Sequence, residues 1–196
     1  MQNFSILLFD GFETLDALGP AEIIGELPEH YRLQYTSWRS GMLSSAQGLR
    51  VETEPFSAIP DGGVLLLPGG IGTRALVKDA AFIDTLKTLA ERAAWVLAVC
   101  TGTPVLAKTG LLDGKPATSN KRLFDWALSV APQVQWQRSA RWVVSGKLYT
   151  SSGVTAGMDM TLGFLRDTLG YGIAKDVADH IEYRWHEDAA DDPFAV

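Results

Sequence analysis

The chain reads as an α/β protein built on one open, mostly parallel sheet with helices on both faces, and three observations carry that reading. Short continuous apolar runs bounded by turn residues, at 4–9, 63–67 and 95–99, have the pattern of strands buried on both faces. Stretches with helical spacing alternate with them. The resulting order of strand, helix, strand, helix is that of a doubly wound sheet, which binds its ligand at the carboxyl ends of the strands.

Taken in order, residues 4–9 form the first strand and residues 15–27 the first helix. The run 63–67 is the next strand, followed by a helix at 82–92 that puts Phe82, Leu86 and Leu89 on one face. Residues 95–99 form a third strand and 123–130 a further helix. Ser145-Gly146 joins 142–145 to 147–151 as a hairpin, and 155–169 returns to helix. No repeat, low-complexity tract or long linker interrupts the chain, so residues 1–196 read as a single domain. The acidic tail from Glu187, ending Asp-Asp-Pro-Phe-Ala-Val, reads as peripheral.

The bulk numbers narrow the function. A chain of 196 residues with 46% hydrophobic composition supports one buried core. A net charge of -6 without clustered Lys and Arg argues against a nucleic-acid partner. The one cysteine cannot form an internal disulfide, and Met-Gln-Asn-Phe-Ser lacks the basic and apolar regions of a signal peptide. The expectation is a cytoplasmic protein. No apolar run approaches the ~20 residues that span a bilayer, which excludes a membrane partner of that kind.

Chemistry centres on Trp95-Val96-Leu97-Ala98-Val99-Cys100-Thr101-Gly102-Thr103-Pro104, an apolar strand that runs into a cysteine and then a helix start. This is the pattern of a nucleophile elbow. Small residues two before and two after the cysteine, Ala98 and Gly102, let the chain reverse sharply, and the helix N-terminus favours the reactive thiolate. An isolated free cysteine is ordinarily a small buried hydrophobe, but the elbow context points Cys100 toward function.

The proton partner is sought in Asp10-Gly11-Phe12-Glu13-Thr14-Leu15-Asp16-Ala17-Leu18-Gly19-Pro20. Asp16, set among Leu15, Ala17 and Leu18, has the surroundings of a desolvated carboxylate with a raised pKa. It equally fits an acid of the first helical turn, and the residues leave both roles open. Asp10 and Glu13 read as turn and surface residues. The loop Leu67-Pro68-Gly69-Gly70-Ile71-Gly72-Thr73-Arg74 reads either as a plain glycine turn or as an oxyanion nest whose Gly70, Ile71 and Gly72 amides face a substrate. It has neither dinucleotide nor P-loop spacing. His30, His180 and His186 show no metal-ligand spacing, so no metal site is expected. The six tryptophans read as core and interface anchors rather than a cofactor box.

Together these segments, with Gly-Leu-Leu-Asp-Gly-Lys-Pro-Ala-Thr and Ser-Ser-Gly-Val-Thr-Ala-Gly-Met-Asp-Met, resemble the ThiJ/PfpI superfamily over almost the whole chain, and within it the isocyanide hydratase branch. The resemblance implies a flavodoxin-like, class-I glutamine-amidotransferase-like three-layer sandwich, a homodimer and no organic cofactor. It also implies that Asp16 faces Cys100, with Thr101 beside them. Two departures qualify it. Protease-like relatives carry histidine directly after the cysteine, where this chain has Thr101, so a Cys-His peptidase is disfavoured. Many relatives carry Thr-His-Trp after the Gly-Leu-Leu-Asp-Gly segment. This chain reads Thr118-Ser119-Asn120-Lys121-Arg122, and Asn120 has no titratable proton.

The function these readings imply is cysteine-dependent hydration of a small electrophile, isocyanide to N-substituted formamide. Cys100 is the nucleophile, Asp16 the proton relay and Thr101 the third catalytic residue, adding a hydroxyl hydrogen bond, while Gly70, Ile71, Gly72 and Asn120 surround the substrate. The alternatives are a glyoxalase- or deglycase-like activity on 2-oxoaldehydes and, in a different class, a cysteine redox or ligand sensor.

Overall fold

A computed structural model describes all residues, 1–196. The elements run β1 (Gln2–Leu8), α1 (Thr14–Gly25), β2 (Tyr31–Ser37), β3 (Gly41–Ser44), β4 (Arg50–Pro55), β5 (Val64–Leu67), α2 (Thr73–Leu76), α3 (Ala80–Arg92), β6 (Trp95–Val99), α4 (Gly102–Ala107) and β7 (Pro116–Ala117). They continue with α5 (Phe124–Val130), β8 (Gln135–Trp136), β9 (Trp142–Ser145), β10 (Leu148–Ser151), α6 (Ala156–Leu169) and α7 (Tyr171–His180). The main sheet has eight strands in the order β3-β4-β2-β1-β5-β6-β10-β9. Every pairing from β4 to β10 is parallel, and antiparallel β3 and β9 form the two edges.

Strands β5 and β6 are apolar along their whole length and β10 is buried throughout, because helices cover both faces. Helix α6 packs between α1 and α7, while α3 packs on α4. The sequence expectation of a mostly parallel, flavodoxin-like sandwich holds. Leu7, Leu66, Val96 and Leu97 are fully buried in its centre, each contributing about 1.5–3 kcal/mol by leaving water. Helices α1 and α6 touch where Gly19 faces Met158; a Cβ at Gly19 would lie 2.7 Å from the methionine side chain. No helix is long and apolar enough to cross a membrane.

Strand β6 and the hairpin β9/β10 lie where the sequence puts them, with Gly146 at φ +61° in the tight turn. The tail differs from its expected periphery. Asp192 is buried, its backbone amide donates to Ser139, and the Ala189 carbonyl accepts from the amides of Arg141 and Trp142. The physical reason is charge: Asp192 lies between the buried cations Lys121 and Arg141, at 3.9 and 3.6 Å.

Candidate active site

Strands β1, β5 and β6 are consecutive neighbours in the sheet, so the loops leaving their carboxyl ends converge on one spot. These loops and the helix start after β1 carry the Gly69-Gly70 pair, Cys100 and Asp16. Segments far apart in sequence thus meet through parallel topology alone.

Cys100 has φ 58°, the left-handed conformation of a sharp strand-to-helix turn. Its strained backbone is held from both sides. Its amide donates to the carbonyls of Ser151 and Ser152 at 3.2 Å, and its carbonyl accepts the Ser119 hydroxyl at 2.8 Å. The glycine two residues on is demanded by crowding: a Cβ on Gly102 would sit 2.5 Å from the Leu67 carbonyl oxygen.

Asp16 lies in the first turn of α1 and is fully buried. Its Oδ2 accepts the Gly69 amide at 2.8 Å, while Oδ1 is buried without a partner. The neighbouring group with a proton to give is the Cys100 thiol. Burial raises the Asp16 pKa to about 7, the Gly69 amide opposes that rise, and the nearby Glu13 carboxylate adds to it. Burial also pushes the Cys100 thiol well above its ordinary range, and the charge of Asp16 pushes it further. This corrects the expectation that the helix start favours a resting thiolate: α4 spans only Gly102–Ala107, and the thiol is too dry for its dipole to prevail. The proton on sulfur is retained, and the Asp16 carboxyl, ionising around neutral pH, is the base beside it.

Asn120 Nδ2 donates to Cys100 Sγ at 3.2 Å. Its orientation is fixed because Oδ1 accepts the Leu123 amide, which turns the NH₂ toward the sulfur. Gly153 makes room for it; a Cβ there would stand 2.4 Å from Nδ2. Thr101 Oγ1 accepts the Gly70 amide at 3.0 Å, locking the glycine loop onto the elbow. That bond changes the role expected of the loop. The Gly70 amide is committed to Thr101 and the Gly72 amide to the Gly11 carbonyl at 3.3 Å, so neither is free for an oxyanion. Close packing explains these glycines instead, since a Cβ on Gly70 would meet the Gly11 carbonyl oxygen at 2.3 Å and one on Gly72 the Asp10 carbonyl oxygen at 2.1 Å. Ile71 is two-thirds exposed at the rim.

Two residues at this spot give no signal in the sequence. Val154 has φ 49°, an unusual conformation for a β-branched residue, and its amide points at both Cys100 and Asp16. Arg74 lies flat on Trp126, with its Cζ 3.6 Å from the ring centroid. The histidines sit elsewhere: His180 meets Glu26 at the surface and His186 bonds the Asp191 carbonyl.

Parallel topology, a cysteine at a positive-φ elbow and a buried acid facing it define a class of α/β sandwich proteins. The chain belongs to the DJ-1/PfpI family, whose sequence profile matches residues 3–167. It is 32% identical over 183 residues to an isonitrile hydratase of Pseudomonas putida, covering 92% of this chain and 78% of that one. A deglycase of Thermococcus kodakarensis is 28% identical over 123 residues, covering 61% of this chain and 73% of the relative. The crystal structure of a ThiJ/PfpI family protein from Pseudomonas syringae superposes with a TM-score of 0.80 at 27% identity, over 93% of this chain and 75% of that chain. The family therefore includes enzymes.

Proposed function

We propose that the protein is a cysteine-dependent hydratase of small electrophiles, with isocyanide to N-substituted formamide as its reaction. The observation that carries the reading is the protonated thiol facing a buried carboxylate whose pKa is raised to about 7, a base poised at the working pH. Asp16 takes the Cys100 proton as sulfur bonds to the terminal isocyanide carbon, then returns that proton to the same carbon, leaving a thioimidate. Asp16 next deprotonates a water that adds to this carbon, and the nitrogen is protonated. The carbon–sulfur bond breaks, the hydroxyl proton returns to sulfur, and the formamide leaves. The net change is addition of one water. The hydrogen bond from Asn120 steadies the sulfur at each stage, and the amides of Thr101 and Val154, which point at it, complete its surroundings.

The reading brings with it a homodimer in the cytoplasm, no organic cofactor, and no nucleic-acid or membrane partner. Light scattering above or near the single-chain mass of 21.3 kDa tests the dimer. A redox-sensor role is less well supported, because a buried thiol held in its protonated form reacts slowly with peroxide. The deciding experiment is turnover of a panel of isocyanides beside methylglyoxal. Formamide production from isocyanides supports the proposal; turnover of methylglyoxal alone replaces it with the deglycase-like alternative.

A further inference from the structure

Arg74 is a charged side chain of the elbow region that the chemistry above leaves unused. It stands on α2 just after the glycine loop, and Trp126 stands on α5, six residues beyond Asn120. Their stack therefore joins the two segments that flank Cys100, one tied to Thr101 through Gly70 and the other to Sγ through Asn120.

The guanidinium is held in place but not neutralised. Its Nη1 is buried without a hydrogen-bond partner, and no ion pair of the molecule includes it. Stacking on an indole fixes the plane of an arginine, yet returns less than a buried, unpaired cationic N–H costs. The buried Arg141 is treated in the opposite way, with two bonds to one carboxylate oxygen of Asp159. The rest of the side chain is only partly buried and lies within electrostatic reach of Cys100, where a guanidinium without a counterion is suited to a planar anion. On a chain of net charge -6, it is also a local attraction for a group that the rest of the surface repels.

We propose that Arg74, braced by Trp126, is the specificity residue for a carboxylate carried by the substrate, so that the preferred electrophile is a small carboxylate-bearing molecule. This inference rests on Cys100 being the reacting group, as proposed above, and not on which bond it attacks. Trp126 acts through Arg74 as a positioning residue.

The test compares alkylation of Cys100 by iodoacetate and by iodoacetamide, two reagents of the same chemistry that differ in one carboxylate. Their rate ratio, divided by the ratio for a free small thiol at the same pH and ionic strength, measures anion recognition at the elbow. Relative to wild type, Arg74→Gln is expected to lower that ratio about tenfold, the size of one charge-assisted contact. Arg74→Lys should keep part of it, and Trp126→Leu should lower it while leaving the charge in place. A ratio that is the same in wild type and Arg74→Gln, each shown folded by circular dichroism, overturns the inference. The same variants are then assayed with isocyanoacetate and its methyl ester. A falling alkylation ratio without isocyanide turnover keeps the anion site and removes the hydratase reading. Equal kcat/KM for acid and ester, with an unchanged alkylation ratio, does the reverse.

Discussion

Asp16 and Asp159 make an internal comparison. Each lies in the first turn of a helix, and each is fully buried. Their surroundings are opposite. Asp159 Oδ2 accepts two bonds from Arg141, at 2.9 and 2.7 Å, and its Oδ1 accepts from Tyr183 and the His186 amide. Asp16 has one backbone amide, an orphaned oxygen and a thiol that resists ionisation beside it. A buried carboxylate given enough donors is a fastener, and one kept short of them stores a demand for a proton. The same residue type in the first turn of two helices is thus tied down by donors in one and left short of them in the other.

The largest effect expected from breaking this contrast is on turnover. Cys100→Ser retains the shape but replaces a thiol with a far weaker nucleophile, so a covalent mechanism predicts a loss beyond ~10²-fold in kcat. Steady-state assay on any accepted substrate checks it, and near wild-type turnover would remove Cys100 from the mechanism. Next in size is Asp159→Asn, which strips charge from the fastened site and leaves Arg141 with Asp192 at 3.6 Å as its remaining anion. Unfolding in urea should show a loss of about 3–5 kcal/mol.

The identical change at the other aspartate should have the opposite sign. The Asp16 carboxyl titrates at about 7 in the fold and at 3.8 in a solvated chain, so between those values the folded state holds a proton that the unfolded chain has released. Stability therefore falls as pH rises through that window, and the full cost applies above about pH 7. Asp16→Asn should stabilise the protein by a few kcal/mol at pH 8, since each tenfold difference in proton affinity between the two states is worth about 1.4 kcal/mol, and by little near pH 4. The same variant should lose turnover. Thermal melts across pH check the sign, and a destabilised Asn variant at pH 8 would return Asp16 to the ordinary role of a helix-start acid. The smallest effect is expected at Thr101→Val, which leaves the Gly70 amide without its acceptor. Urea unfolding should register about 1–3 kcal/mol.

How much of this is legible in the sequence follows from where the signal resides. Strand β6 and the hairpin are readable because a strand buried on both faces is a plain apolar run and a Ser-Gly step marks a turn. Strand β2, Tyr-Arg-Leu-Gln-Tyr-Thr-Ser, escapes because it is only partly buried and interleaves polar residues, and edge strand β3 is mostly exposed. Helix α7 follows α6 after a single glycine, and the helical pattern breaks at that residue. At the site, the elbow has a local pattern, whereas the meeting of Asp16 with Cys100 depends on β5 lying between β1 and β6. Family resemblance supplies that pairing; spacing does not. Val154 and Arg74 leave no mark, because neither a positive φ at valine nor a missing counterion is written in local sequence. The tail misleads for a related reason: Asp192 reads as a solvated acid until Lys121 and Arg141 are brought to it.

The hairpin turn carries one more lysine with an unusual position. Lys147 Nζ donates to three carbonyls, those of Ala90, Glu91 and Ala93, at 2.8–2.9 Å. An ammonium has three hydrogens, so all of them are engaged at the carbonyl end of α3. Such an amine must break away before it can lose a proton and attack an acylating reagent. Under mild acetylation it should remain unlabelled while exposed lysines such as Lys87 react, and it should become labelled only when α3 and the hairpin separate. Peptide mass mapping of Lys147 would then time the opening of the sheet, giving the fold a chemical clock of its own.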